Sequence, residues 1–342
     1  MDPFTQAILG GGSATAFANK KDIRFATFCG MIGGLVPDLD ILIRSSEDTL
    51  LFIEYHRHFS HSIFFAPVGS LIVSIFIYLL FIKKKKSFKK IYFFSILGFL
   101  THGLLDSFTS YGTMLFWPFS EERVAYNIIS IIDPLFTIPL LIFLIASNVY
   151  KSNLFTRIGL LVCCFYLSMG LFINKKVETF VYQIAKNRGH KISRILLNPT
   201  FGNIILWRTI YKSDKYYYVD AVYTPFFKRP KIKKGLKVNV INKDTVFPSI
   251  KANTKQRKDI NRFSKFSNDF IYIHPNFDNI IADLRYGTLP YDSLSMWGIM
   301  VKPEEQDQHV EFKNLRDFKK EHYKIFLNML KGELEHTYTK EN

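Results

Sequence analysis

The stretch GFLTHGLLDSFTSYG, residues 98–112, indicates how the first half of the chain is built. It reads as the end of an apolar helix that carries His102 and Asp106 four residues apart. At 3.6 residues per turn, this spacing places an imidazole and a carboxylate on one helix face, one turn apart. Ionisable groups in such apolar surroundings are costly unless they are paired, bound to a metal or functional. A core histidine paired with a neighbouring acid and a part of a larger site are both open at this point.

Composition divides the chain into an apolar half and a basic half. Of the 342 residues, 48% are hydrophobic and 16% are aromatic, with 34 Phe. Residues 1–174 contain 14 Lys and Arg against 11 Asp and Glu, whereas residues 175–342 contain 31 against 18. All three cysteines lie in the apolar half, which excludes a disulfide framework or a cysteine zinc site from the basic half. We therefore predict two domains, a membrane domain at 1–174 and a basic domain at 175–342.

Five apolar stretches of the first half approach the length that crosses a membrane. The clearest is 61–82, and the others are 25–43, 91–108, 127–147 and 154–173. A shorter stretch at 4–18 crosses the membrane or only dips into it, and it lacks the basic segment that precedes a signal peptide. The predicted fold is a polytopic α-helical membrane bundle of about five spans plus a short N-terminal helix, followed by a small α+β soluble domain.

The loop charges predict an orientation. If the spans alternate, the loops 19–24, 83–90 and 148–157 share one side and hold 11 of the 14 basic residues of the first half. The positive-inside rule makes that side cytoplasmic. The loops 44–60 and 109–126 and the C-terminal domain then lie outside the cytoplasm. The expected location is the bacterial inner membrane, with the C-terminal domain extracytoplasmic.

Acids and histidines gather at the outer helix ends of this arrangement. Divalent metals bind carboxylate oxygens and neutral imidazoles supplied by several chain segments. The alternative is that these residues cap helices and pair with one another, but acids and histidines with few Arg or Lys partners fit that alternative poorly. We predict a site for a divalent metal ion, zinc or manganese being the first choices, with these ligands: Asp38, Asp40, His56, His61, His102 and Asp106.

The same blocks resemble a known family, the LexA-binding, inner-membrane-associated metal-dependent hydrolases of bacteria. The resemblance covers residues 1 to about 140 and rests on MDPFTQAILGG at 1–11, GLVPDLD at 34–40, HRHFSHS at 56–62, LTHGLLDSFTSYGT at 100–113, WPFS at 117–120 and IIDPLF at 131–136. It implies a metal site at the six positions above. Many members have a histidine where this chain has Gln6, and a glycine where it has His58. The first difference removes a possible ligand and the second adds one.

If the site is catalytic, a carboxylate outside the metal shell has to act as general base. Asp133 is the candidate, because Pro134 fixes it at a helix start. Arg57 and Arg123 are candidates for holding an anionic group such as a phosphate, although each Arg equally fits an interfacial anchor. A site at headgroup level suits a lipid-linked or phosphorylated substrate. The alternative function is a non-enzymatic membrane protein, a carrier or scaffold, that binds or passes a cation or proton.

The basic half is predicted to be a small α+β domain. Strand-like runs lie at 203–211, 216–224, 236–241, 269–274 and 279–286, the first two forming a hairpin, and an amphipathic helix lies at 314–330. Basic runs at 228–237 and 251–258 invite a nucleic-acid interpretation. The predicted topology disfavours nucleic acid and favours membrane lipids or a solvated face. The sequence leaves the oligomeric state open.

Overall fold

The computed structural model describes residues 1–82 and 87–334, and the chain forms two compact units. The helical unit comprises Met1–Ile43, Tyr55–Phe172 and Phe201–Asn203. The β unit comprises Arg44–Glu54, Ile173–Thr200 and the chain from Ile204 onward. The boundary is therefore not a single cut near residue 174, because an early loop belongs to the β unit and a short later segment belongs to the helical unit.

Helices occupy most of the first 187 residues. Asp2 caps the first helix by accepting a hydrogen bond from Thr5 N, and Asp133 caps a later one by accepting from Leu135 N. In both cases a proline occupies the first turn, where a missing N–H costs nothing. The helices are α1 Pro3–Ala16, α2 Ile23–Leu35, α3 Leu51–Tyr55, α4 Ala66–Ile77, α5 Phe88–Ser107, α6 Pro134–Tyr150 and α7 Leu154–Asn187. Two 3-10 segments, Val36–Leu42 and Phe59–His61, and a π-helical turn, Tyr78–Ile82, complete this region.

Glycines bring α1, α2 and α5 into backbone contact. A Cβ built on Gly98 would lie 2.1 Å from Gly30 O, and one built on Gly30 would lie 2.3 Å from Gly10 O. Small residues allow such close approach between helices in membranes. The starts of α2 and α5 are joined by Lys90 Nζ, 2.6 Å from Asp22 Oδ2, so these two helices run parallel. Both end at the same place, and that end carries the candidate ligands.

The expectation of about five spans is wrong. Two helical segments of the described chain are long and apolar enough to cross a membrane: Ile23–Leu42, with 20 residues, and Leu154–Asn187, with 34. A third span is counted only if Leu51–His61 and Ala66–Leu80, bent by 89°, are taken as one. Lys83–Lys86, on which the predicted orientation partly depended, lie outside the described residues.

The missing spans have physical causes that apolar content does not reveal. The stretch 61–82 is divided among a 3-10 turn, α4 and a π-helical turn, so it contains no continuous long helix. Helix α1 has 14 residues, which at 1.5 Å per residue is about 21 Å, shorter than the roughly 30 Å of hydrocarbon. Helix α6 begins only at Pro134 and has 17 residues. Helix α5 has 20 residues but includes Lys89, Lys90 and Asp106.

The β unit contains two antiparallel four-stranded sheets, each with its strands in sequence order. Trp207 and Tyr211 of the first sheet pack with Val177 and Val181 of α7 in a buried cluster. The strands are β1 Arg194–Pro199, β2 Leu206–Ser213, β3 Tyr216–Tyr223, β4 Lys231–Asn239, β5 Ile271–Ile273, β6 Ile280–Asp283, β7 Trp297–Met300 and β8 Glu311–Asn314; α8 is Lys255–Phe266 and α9 is Lys320–Leu330.

Sequence patterns located the first sheet better than the second. The predicted hairpin is β2–β3, which turns at Asp214 with φ +52°. Strands β1, β7 and β8 were missed, because two of them have only four residues and the first continues directly from a helix. The two basic runs largely form β4 and the start of α8, so their charges lie on regular structure.

A buried carboxyl makes the stability of the β unit depend on pH. Asp292 Oδ1 lies 3.9 Å from Arg208 Nη1, and burial raises the pKa of Asp292 to about 6, despite that cation. Because the folded pKa exceeds the ordinary value of 3.8, this group contributes its stabilisation below about pH 4 and loses it as the pH rises through about 6. Asn cannot ionise. We expect Asp292→Asn to exceed wild type in stability near pH 7 by on the order of 3 kcal/mol and to match it near pH 4.

Thermal unfolding of the full chain, followed by tryptophan fluorescence at both pH values, measures this difference. Asp278→Asn, at an exposed position, is the matched control and should leave the pH dependence unchanged. A difference between Asp292→Asn and wild type that is the same at both pH values would contradict the assignment.

Candidate metal centre

Three short segments of the helical unit supply the six predicted ligands. Asp38 and Asp40 lie in the 3-10 segment that follows α2, which Pro37 begins. His56 and His61 lie at and beyond the end of α3, around the second 3-10 turn. His102 and Asp106 lie on the last two turns of α5. The parallel packing of α2 and α5 brings the first and third segments to the same end of the unit.

Four ligand atoms from these segments converge on one point. His61 Nε2 and His102 Nε2 are 2.9 Å apart, and Asp38 Oδ1 lies 3.4 Å from each. Asp106 Oδ2 lies 3.2 Å from His61 Nε2 and 3.5 Å from His102 Nε2. A tetrahedral shell with ligands at about 2.0–2.1 Å has ligand–ligand separations of about 3.3 Å. The measured separations are those of such a shell.

Both imidazoles have their ligating nitrogen set by a partner on the opposite nitrogen. His102 Nδ1 lies 2.6 Å from Gly34 O, and a carbonyl only accepts, so Nδ1 carries the proton. His61 Nδ1 lies 3.0 Å from Ser60 Oγ, whose own hydrogen goes to Asp40 Oδ2 at 2.7 Å. His61 Nδ1 is therefore also a donor. In neutral rings, both Nε2 lone pairs then point at the same place, as in metal sites whose histidines are oriented from behind.

Asp40 orients its neighbours more than it faces the centre. Its Oδ2 accepts from Arg57 N at 2.9 Å and from Ser60 Oγ, and its Oδ1 lies 2.8 Å from His56 Nδ1. Asp40, Asp38 and His56 still form a second group whose ligand atoms lie within 4.8 Å of one another. Asp38 is common to both groups. The structure thus brings all six predicted residues together.

Arg57 is buried in the site and faces Asp106. Its Nε lies 3.1 Å from Asp106 Oδ2, and its Nη1 donates to Thr109 Oγ1 at 2.8 Å. The guanidinium lies over the ring of Tyr111, 4.8 Å from its centroid. Its backbone has φ +61°, a left-handed conformation that non-glycine residues adopt at a cost. Arg57 therefore holds a carboxylate of the centre, and its contacts are those of a positioning residue.

The charges and unsatisfied atoms of the centre fit a cation. One guanidinium, that of Arg57, faces three carboxylates, those of Asp38, Asp40 and Asp106. Asp106 Oδ2 is buried without a hydrogen-bond donor among the described residues, although Arg57 Nε is near. Buried carboxylates in this setting need a partner. A donor set of two carboxylates and two imidazoles is also one that zinc and manganese accept.

Gln6 is a site residue whose role sequence reasoning saw only as a lost ligand. Its Nε2 donates to Asp106 Oδ1 at 2.9 Å and to His102 O at 3.3 Å, while its Oε1 is buried and accepts no hydrogen bond in the described chain. The α-amino group of Met1 also contacts Asp106 Oδ1. The carbonyl of Gly34 and the hydroxyl of Ser60 were missed as well. The glycine spacing in α2 and α5 was the available indication that backbone atoms would approach the site.

The other predicted residues lie apart from the four converging atoms. Asp133 uses both oxygens for a helix cap, accepting from Leu135 N at 3.1 Å and from the Tyr166 hydroxyl at 2.9 Å. Arg123 donates to His56 O and Gly112 O, which fixes the loop behind the site. His58, the extra histidine, packs against Trp117, with ring centroids 5.7 Å apart, and belongs to neither ligand group.

The β unit contains a third group of acids and histidine, Asp48, Asp259 and His309. An arginine already occupies it: Arg262 contacts Asp48 Oδ2 at 2.9 Å and Asp259 Oδ1 at 2.8 Å. Although burial alone would raise it, these hydrogen bonds hold the pKa of Asp48 below its ordinary value. The group is therefore an ion-pair network that ties residue 48 to α8.

Comparisons with known proteins agree with a membrane assignment. A family model described as YdjM inner membrane protein matches residues 1–177, more than half of the chain. A relative in Bacillus subtilis (strain 168), described as the uncharacterized protein YfhP, is 26% identical over 237 residues, which cover 64% of this chain and 67% of the relative. No solved structure gives a significant match.

Proposed function

The chain belongs to the YdjM inner membrane protein family, and we propose that its helical unit is a membrane-embedded metal centre that catalyses hydrolysis. The family description names neither an activity nor a LexA partner, so hydrolysis is the step that this proposal adds. The observation that carries it is the convergence of Asp38 Oδ1, His61 Nε2, His102 Nε2 and Asp106 Oδ2. Zinc and manganese are the proposed ions.

The residues divide between holding the ion and shaping the site. Asp38, His61, His102 and Asp106 would hold it, and when bound such an ion activates a water molecule and polarises a carbonyl or phosphoryl oxygen. Asp38 is the ligand through which substrate has access, because its side chain is 19% exposed whereas those of the other three are fully buried. Arg57 holds Asp106 in place. Asp133 is kept as the candidate general base, to be assigned only if its loss removes hydrolysis and leaves the metal.

Substrate class and orientation follow from the position of the site. Helices α2 and α5 begin beside a cluster of basic residues and end at the metal centre, and the positive-inside rule places such a basic end in the cytoplasm. The centre then lies at the outer membrane surface, where lipid-linked or phosphorylated substrates are within reach. The chain after α7 follows to the outside, since Lys151 and Arg157 lie at the start of that helix. The basic cluster is Lys20, Lys21, Arg24, Lys89 and Lys90.

The test uses the full chain in right-side-out vesicles, with metal content and hydrolysis of phosphoesters and lipid-linked phosphates measured on the same preparation. We expect about one divalent ion per chain. A membrane-impermeant chelator added outside should remove both metal and activity, and the ion added back should restore them. Arg57→Lys should reduce activity more than metal content. Stoichiometric metal without turnover of any substrate class would contradict hydrolysis and leave the metal centre standing.

One observation favours the alternative, a protein that passes a proton or cation. Two Nε2 atoms at 2.9 Å can share one proton as readily as they can bind a metal. On that alternative, the purified protein contains no stoichiometric metal and takes none up after reloading. Proteoliposomes would instead show a pH gradient collapse that His102→Ala removes.

A further inference from the structure

The loop between β3 and β4 presents two phenylalanines to the outside. Phe226 is 40% exposed and Phe227 is fully exposed, and the two rings are neighbours, with centroids 6.5 Å apart. Lys228 and Arg229 follow directly and are exposed as well. We call residues 226–229 the aromatic–basic tip. Exposed adjacent aromatics next to cations are typical of a surface that meets another phase or partner.

The tip is held in place by a lysine of α7. Lys176 Nζ donates to the carbonyls of Pro225 at 2.9 Å and Lys228 at 3.0 Å, and lies 3.4 Å from that of Phe226. One ammonium group thus uses its three donors on the backbone of a single loop. This contact fixes the tip to a definite level along α7.

That level is the point where α7 leaves the hydrocarbon region. The apolar part of α7 runs from Leu154 to Ile173, about 20 residues or 30 Å, which is the length of a span. Lys175 and Lys176 follow at once, and Lys175 pairs with Glu178 at 2.8 Å, a polar arrangement that marks the end of the span. A loop bonded to Lys176 therefore lies at the membrane–water boundary.

We propose that the aromatic–basic tip inserts into the lipid surface at the end of α7, with Phe226 and Phe227 among the acyl chains and its cations on anionic headgroups. Aromatic rings favour this interface, and each cation near an anionic surface adds to the attraction. The sequence complements such a surface, because residues 225–238 contain six Lys and Arg and no Asp or Glu. This inference rests on the span and the tip and is independent of hydrolysis at the metal centre.

The experiment places a fluorescent reporter on the tip of the full chain. Phe227→Cys, in a Cys164→Ala background that removes the exposed native thiol, is labelled with an environment-sensitive dye and placed in nanodiscs with one chain per disc. Phe277→Cys and Phe318→Cys, also exposed phenylalanines of the β unit, are the matched controls. We expect brominated lipids to quench the dye at 227 at least about twofold more than at either control position.

Lipid charge tests the second half of the proposal. With Lys228→Gln and Arg229→Gln, the ratio of inserted to withdrawn tip in anionic bilayers should fall about fivefold per removed cation. Neutral phosphatidylcholine discs should give a similar loss with the wild-type tip.

Equal quenching at all three positions, or none at 227, would overturn insertion. Quenching at 227 that is indifferent to lipid charge would overturn the role of the cations. Shielding of the dye that appears only when discs hold two chains would assign the tip to a second copy and overturn the lipid assignment.

Discussion

His102→Ala is expected to abolish metal binding while the chain still folds and inserts. If four ligands share the roughly 10–16 kcal/mol of a structural zinc site about evenly, each contributes on the order of 3 kcal/mol, more than a hundredfold in affinity. His102 also anchors its ring on Gly34 O, so no neighbouring side chain can replace it. Elemental analysis and chelator competition on the purified protein measure the loss.

Two further variants place this effect on a scale. Ser60→Ala removes a partner of His61 Nδ1 but no ligand, and loss of such an outer partner typically costs 10- to 100-fold. His58→Gln alters the adjacent histidine that lies outside both ligand groups and should leave the metal in place. An affinity for His102→Ala equal to that of His58→Gln would remove His102 from the shell.

Gly98→Ala is expected to separate α2 from α5 and to lose the metal as a consequence. The added Cβ would lie 2.1 Å from Gly30 O and 3.0 Å from Gly34 N, both backbone atoms that cannot move aside as a side chain would. Overpacking of this kind typically costs 1–3 kcal/mol, about the upper value here because both contacts are backbone. Displacement of Gly34 also removes the acceptor that orients His102. Unfolding in detergent, with metal content measured in parallel, tests both effects.

The control is a glycine on the opposite side of α1. A Cβ on Gly12 meets only Leu140 Cδ1 at 3.5 Å, an ordinary contact, and Ala favours a helix over Gly by about 1 kcal/mol. Gly12→Ala should therefore leave stability unchanged or raise it. If Gly98→Ala behaved like Gly12→Ala, the close approach of the two helices would be wrong.

The fold was predictable only in outline. Apolar content correctly marked a helical first half, but it counted the stretch 61–82 as one span. Local geometry around Pro67, which starts α4, and the 3-10 turn before it decide where that stretch bends. Short strands such as β7 and β8 depend on partners distant in sequence, so their four residues give no periodic pattern of their own.

Residue type carried more information about the candidate site than about the fold. Acids and histidines at three helix ends could be recognised from spacing, because few other arrangements place so many ionisable groups beside apolar helices. Their division into ligands and orienting groups could not. It depends on which atom each side chain presents: Asp38 turns an oxygen to the centre, whereas Asp40 spends its oxygens on Ser60, His56 and the backbone of Arg57.

The four ligand atoms come from three segments that are far apart in the chain, around residues 38, 61 and 102–106. An ion bound by all of them acts as a cross-link, and binding to the folded state alone stabilises that state in proportion to the logarithm of free ion over Kd. Each hundredfold excess of ion over Kd adds about 2.7 kcal/mol. The survival of this protein in the membrane thus becomes a function of metal supply, and starvation for the ion would expose it to proteolysis before any substrate accumulated.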